Sequence, residues 1–259
     1  MTTLRAQVSK RGFGVTSRRD GWWVKPSLVF LGLGAFIVYS TWAAFQGADY
    51  RYGPYLSPMY SPDLFGGQVP GWWPGWLPYS PAFLILWAPA GFRLTCYYYR
   101  GAYYKAFWAD PPACAVGEPR KSYLGENSLP LILQNVHRYF MYLAVVFIFI
   151  LAWDAYEALW FEGADGTVHF GVGVGTLVLT LNVVLLGGYT FGCHSLRHLI
   201  GGFVDVFSKH PTRKKLFDCV TCLNRAHQKW AWFSLLWVGF TDVYVRMCAT
   251  GHWTDWRIL

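Results

Sequence analysis

This chain predicts an all-α integral membrane protein, a bundle of five transmembrane helices with the N-terminus in and the C-terminus out. Three properties carry that reading. Of the 259 residues, 54% are hydrophobic and 20% aromatic, and only 14% are charged, a balance too apolar for a soluble domain of this length. Five apolar segments each approach the ~20 residues that cross a bilayer as a helix. The basic residues collect in alternate connections, as they do when a membrane sorts them to one side.

The first span is read at 28–45 and the second at 77–95, interrupted by Pro89 and closed by Arg93. The others are read at 131–153, 170–193 and 230–248. Six Lys and Arg lie in residues 1–25, six in 93–138 and seven in 194–229, which leaves only Arg51, Arg246 and Arg257 elsewhere. This asymmetry sets the orientation, and it accounts for a net charge of +8 without nucleic acid.

Residues 1–25 form a basic N-terminal arm with Gly12 and Gly14 and no apolar core, read as a mobile cytoplasmic segment on anionic lipid or a partner. The remainder, 26–259, is the transmembrane domain. No cleavable signal peptide is expected, because the first apolar run is long and lacks a small-residue cleavage pattern behind it. The outside loop 46–76 is rich in proline, glycine, tyrosine and tryptophan, with Trp72, Trp73 and Trp76 close together. Such aromatics settle at the membrane interface, so this loop is expected to be a structured cap or re-entrant segment lying on the outer leaflet.

The candidate chemistry lies on the inside. The fourth span ends in Gly192-Cys193-His194-Ser195-Leu196-Arg197-His198. Histidines four apart share one helix face, so His194 and His198 are placed to reach one metal ion; their alternative role is contact with lipid headgroups. The first inside loop carries Cys96-Tyr97-Tyr98-Tyr99-Arg100 and Pro111-Pro112-Ala113-Cys114, whose paired prolines pin the turn that presents Cys114. The third span opens with Gln134-Asn135-Val136-His137-Arg138-Tyr139. Polar groups so near hydrocarbon face the bundle interior and mark a site, or, for Arg138, snorkel to phosphate.

Other features read as structural. Gly171, Gly173 and Gly175 suit close helix contact, Asn182 suits packing, and Asp242 and Arg246, four apart in the last span, are expected to pair. Cys219 and Cys222 form a single CxxC, read as ordinary helix residues. Five of the six cysteines fall on the reducing side, so disulfides are not expected. Two thiolates with two imidazoles suit either tetrahedral zinc or a Rieske-type [2Fe-2S] cluster.

Together these motifs, Cys-Tyr-Tyr-Tyr-Arg at 96–100, Pro-Pro-Ala-Cys at 111–114, Gln-Asn-Val-His-Arg-Tyr at 134–139 and Cys-His-Ser-Leu-Arg-His at 193–198, give a resemblance. The chain resembles the membrane-anchor subunit of bacterial succinate dehydrogenase (succinate:quinone oxidoreductase, complex II), in the haem-less class with a membrane-embedded Rieske-type cluster. The likeness runs from about residue 20 to the C-terminus. It implies a multi-pass protein of the cell inner (plasma) membrane, with flavoprotein and iron-sulfur subunits docked on the cytoplasmic face. Electrons from succinate would pass through those subunits to the anchor and reduce menaquinone or ubiquinone. This chain alone would not oxidise succinate, and a higher oligomer of the complex stays open.

For the cluster, Cys96 and Cys114 are assigned to one iron and His194 and His198 to the other; Cys193, read as one helical step of about 100° from His194, is the first substitute for a thiolate and His137 for an imidazole. Soluble Rieske proteins use C-x-H and C-x2-H loops, which are absent here. Imidazole ligation raises such a potential to roughly −150 to +300 mV, suited to feeding quinone. Candidate quinone contacts are Tyr98, Arg100, Arg138 and Tyr139. Two rival readings remain: a haem b anchor with axial ligands such as His137 and His198, and a zinc-dependent membrane enzyme. A metal-free interaction protein would leave the clustered thiols and imidazoles without a purpose.

Overall fold

The computed structural model describes residues 12–120, 127–129, 131–163 and 165–259, and among these the apolar segments are helical. In chain order the helices are α1 (Val24–Gln46), α2 (Pro81–Ile85), α3 (Trp87–Thr95), α4 (Tyr97–Phe107), α5 (His137–Glu157), α6 (Val174–Phe191), α7 (His194–Gly201), α8 (Pro211–Arg225) and α9 (His227–Ala249). Two small antiparallel ladders, β1 (Arg51–Tyr52) with β2 (Tyr55–Leu56) and β3 (Trp160–Glu162) with β4 (Val168–Phe170), close connections. Among the described residues, Val24–Gln46, Leu131–Glu157 and Val174–Phe191 are long and apolar enough to cross a membrane.

The segment expected to span at 77–95 is instead two short helices, α2 and α3, separated at Leu86. Pro89 has no N–H to offer the carbonyl of Ile85, and its ring crowds that same carbonyl, so the ladder breaks there. The fourth span also starts later than expected. Residues 168–170 belong to β4, and α6 begins after Gly173, whose N–H donates to the Thr176 hydroxyl at 3.1 Å.

The chain divides into two compact units, one of residues 1–37 with 93–136 and one of 38–92 with 137–259. In the first, Phe30 of α1 and Phe107 of α4 pack with ring centroids 4.8 Å apart. The first eleven residues of the basic arm lie outside the described residues. The rest of the arm is held: Gly14 N–H donates to Gly117 O at 2.9 Å, Gly117 N–H to Val15 O at 2.9 Å, and Thr16 bridges Val116. A Cβ on Gly117 would stand 2.2 Å from the Gly12 carbonyl oxygen, so this close pairing requires glycine.

In the second unit α6 packs between α5 and α9. Gly175 and Gly188 bring α6 close to its neighbours, since added Cβ atoms would lie 2.4 Å from the Tyr55 ring and 2.6 Å from the Trp230 ring. The start of the 46–76 loop is structured. Ser57 donates to Asp242 of α9, and Ser61 donates to Asp154 of α5, so two buried carboxylates hold the loop by its serines. Asp242 also accepts from Tyr39 at 2.6 Å and from Arg246 Nε at 2.8 Å. Arg246 spends its other nitrogens on the carbonyls of Ala48 and Ala43. The pair expected from spacing therefore forms, and it satisfies the charge of both partners inside the unit. Beyond it the loop turns outward, with Trp72 and Trp76 63% and 83% exposed.

Candidate functional site

The end of α6 sets the site. The helix closes at Phe191, and Gly192 is pressed against α8, with an added Cβ 3.2 Å from the Leu223 backbone and Asn224 Nδ2 donating to Gly192 O at 2.8 Å. Cys193 is then extended and serves as the N-cap of α7, accepting from Arg197 N–H through its carbonyl. It is a joint between two helices, so the expectation that it lies one helical step round from His194 does not hold. Its thiol turns inward, 1% exposed, and lies 3.2 Å from His137 Nε2.

His137 opens α5 and is buried. Phe92 stacks flat on its ring, with centroids 4.9 Å apart and planes within 3°, and Tyr189 meets Phe92 edge-on at 5.3 Å. Tyr189 in turn stacks on His227 at 4.9 Å. Two imidazoles and a thiol thus share a mostly apolar, aromatic interior. Nothing in the sequence spacing reveals the His137–Cys193 contact, because 56 residues separate the two.

His194 and His198 do meet as their spacing predicts. On α7 their Nε2 atoms are 3.0 Å apart and their rings are 4.4 Å apart at 78°. Partial burial pushes the His194 pKa down, and the neighbouring His198 and Arg197 charges push it further the same way. Its neutral form, which can bind a metal, is therefore favoured at neutral pH. The two nitrogens are close enough for one ion with bonds of about 2.0–2.1 Å to reach both. Arg197, between them in sequence, donates to Thr221 at 3.0 Å and lies over the Phe217 ring, which ties α7 to α8.

The other assigned ligands, Cys96 and Cys114, belong to the first unit. Cys96 is 3% exposed and is the extended N-cap of α4, with Arg100 N–H donating to its carbonyl at 2.8 Å. Cys114 is exposed on the loop after α4; its carbonyl accepts from Arg18 at 2.9 Å, and the Ala115 carbonyl accepts from Thr16 at 2.7 Å. Cys219 and Cys222 are exposed on α8, as ordinary helix residues are. Among the described residues, no group of three or more His, Cys, Asp or Glu is gathered to hold a metal ion.

The quinone candidates divide between the units. In the first, the Arg100 guanidinium lies over the Tyr97 ring at 4.4 Å and Tyr98 packs beside Tyr99 at 5.6 Å. In the second, Arg138 and Tyr139 are exposed on α5, Tyr139 by 68%. Sequence reasoning missed the polar cluster beside the first pair. Arg93 donates to the Tyr99 hydroxyl at 2.6 Å, and Gln134 Nε2 reaches Thr95 O at 3.4 Å and the Tyr103 hydroxyl at 3.5 Å. Burial pushes the Tyr99 pKa up to about 12 even beside Arg93, so it keeps its proton. Gln134 was the legible signal, a polar side chain at the mouth of an apolar run.

Comparison with known proteins agrees with this architecture. The sequence model of a family described as actinobacterial succinate dehydrogenase subunit SdhC matches residues 24–251. A chain of the Mycobacterium smegmatis Sdh1 complex in the apo form is similar over 94% of each chain, with 44% identity and a TM-score of 0.84. No curated protein matches.

Proposed function

We propose, since the chain belongs to the actinobacterial SdhC family of succinate dehydrogenase subunits, that it is the membrane anchor that passes electrons from the soluble subunits of that enzyme to a membrane quinone. The family match over residues 24–251 supports the anchor role, and the converging His194–His198 pair supports the redox role. In this reading the chain crosses the plasma membrane five times with its N-terminus inside. The flavoprotein and iron-sulfur subunits dock against the basic inner loops, which orient an acidic partner surface.

The cofactor in this reading is a Rieske-type [2Fe-2S] cluster. His194 and His198 would hold one iron, and their geometry fits. Cys96 and Cys114, both in the first unit, would supply the thiolates, and both donors have the right chemistry. Cys193, already paired with His137, is the nearest substitute in the chain. When bound, such a cluster supplies one-electron transfer at a potential within reach of quinone.

The chain's own groups prepare that step in three ways. Burial of His137 and Cys193 under Phe92 and Tyr189 keeps water from the inner end of α5 and α6. The lowered pKa of His194 keeps a lone pair free. For quinone, Tyr98, Arg100, Arg138 and Tyr139 remain the assigned donors, and the Tyr103–Gln134 contact adds a further one beside Arg100.

The test is low-temperature EPR of the purified, dithionite-reduced complex, wild type beside a His194→Ala/His198→Ala double variant. A Rieske-type signal that disappears in the variant, with the soluble-subunit clusters intact, supports the assignment. Haem absorption bands in place of that signal would refute it.

A further inference from the structure

The connection between α7 and α8 carries a feature that electron transfer does not use. α7 ends at Gly201, Gly202 N–H donates to His198 O at 2.7 Å, and the backbone then turns left-handed at Phe203 with φ of 61°. A bulky aromatic seldom takes that conformation, and strain of this kind persists only where the surroundings impose it. Phe203 is also the most exposed large hydrophobic residue described, at 110% relative exposure.

The surroundings do impose it. Arg213 of α8 donates to the carbonyls of Ile200 and Gly202, the two residues flanking Gly201. Phe207 and Phe217 pack with centroids 5.0 Å apart, and the Arg197 guanidinium lies over Phe217 at 4.7 Å. A Cβ on Gly201 would stand 2.6 Å from the Phe217 ring, so the turn is packed tight from below. Phe203 is held outward on a fixed support. Nearby in the chain, Leu199, Val206 and Leu216 are each about half exposed, and the exposed Lys209, Lys214 and Lys215 outnumber the exposed Asp205 and Asp218.

We infer that Phe203 is the anchor of a protein interface, inserting into an apolar pocket rimmed by carboxylates on a soluble subunit of the complex. This rests on the reading of the chain as the anchor on which those subunits dock. A single buried aromatic within a polar rim is the usual centre of binding energy at such interfaces. The basic surplus of this segment sets the charge of the partner surface. A shape imposed by strain and by Arg213 serves a pocket of one shape, whereas fluid lipid gains nothing from it. Pre-forming the protrusion also spares the ordering cost of a mobile loop.

The test uses the intact complex, captured through a tag on this chain. With Phe203→p-benzoylphenylalanine, illumination of membranes should join this chain to a soluble subunit. An adduct with lipid or with a second copy of this chain overturns the inference. Phe203→Ala and Phe203→Glu should weaken retention of the soluble subunits at least tenfold, and Phe203→Trp should restore it. Phe203→Gly removes the ring and the strain together, so it should raise the melting temperature of the anchor while weakening assembly; a purely structural Phe203 would lower it. Full retention in the Ala and Glu variants refutes the anchor role alone. Failure of the wild-type chain to bring down any soluble subunit refutes the proposed function itself.

Discussion

Replacing Asp255 should unfasten the second unit at one point where three parts of the chain meet. Its carboxylate accepts from Tyr55 of the β1–β2 hairpin at 2.7 Å, from Tyr244 of α9 at 2.6 Å, and from Gly175 N–H in the first turn of α6 at 2.8 Å. Hydrogen bonds to a charged acceptor contribute about 1.5–3 kcal/mol each. A negative charge at a helix N-terminus adds about 0.3–1 kcal/mol. The three bonds share one carboxylate, so their losses do not add. Asp255→Ala should therefore cost about 3–4 kcal/mol, and Asp255→Asn, which keeps one carbonyl acceptor, about half that. For a chain of this size each kcal/mol moves the melting temperature by about 2–4 °C, so the Ala variant should melt roughly 6–16 °C lower. Thermal unfolding of the purified protein in one detergent reads this directly. The expected order is Asp255→Ala, then Asp255→Asn, then Tyr244→Phe, from largest loss to smallest. If Asp255→Ala melts within 1 °C of wild type, or matches Asp255→Asn, the carboxylate is not the fastening.

Other substitutions test neighbouring claims. Arg246→Met leaves the fully buried Asp242 charge without its partner and should cost about 3–5 kcal/mol, while Asp242→Leu/Arg246→Met together should cost less; equal losses would refute a coupled pair. Gly188→Ala drives a methyl into Trp230 and should cost about 1–3 kcal/mol, whereas Gly187→Ala, with nothing nearer than 3.7 Å, should be near neutral. Equal melting temperatures for the two would contradict the α6–α9 packing described above. Maleimide counted by mass spectrometry should label exposed Cys219 and Cys222 quickly and buried Cys193 and Cys248 only after unfolding. Early labelling of Cys193 would contradict its position against His137.

Much of the candidate site was legible where partners lie within one helical turn. His194 with His198 and Asp242 with Arg246 are four residues apart, and helix periodicity alone aligns them. The charge of the N-terminal arm was legible, but not its pairing with residues 115–117, because main-chain bonds leave no mark in side-chain pattern. Cys193 was read one step along a continuous helix, yet Gly192 ends α6 against α8 and turns the thiol toward His137.

Apolar runs, charge sorting and family membership thus follow from the amino-acid sequence, since each is a local or summed property of residue types. Partners far apart in the chain were decided by the fold: Ser61 with Asp154, Asp255 with Tyr55, Phe92 with His137. A buried carboxylate states only that it needs donors. Which hydroxyl supplies them depends on which segments the packing of α5, α6 and α9 brings within 3 Å, and no periodicity encodes that.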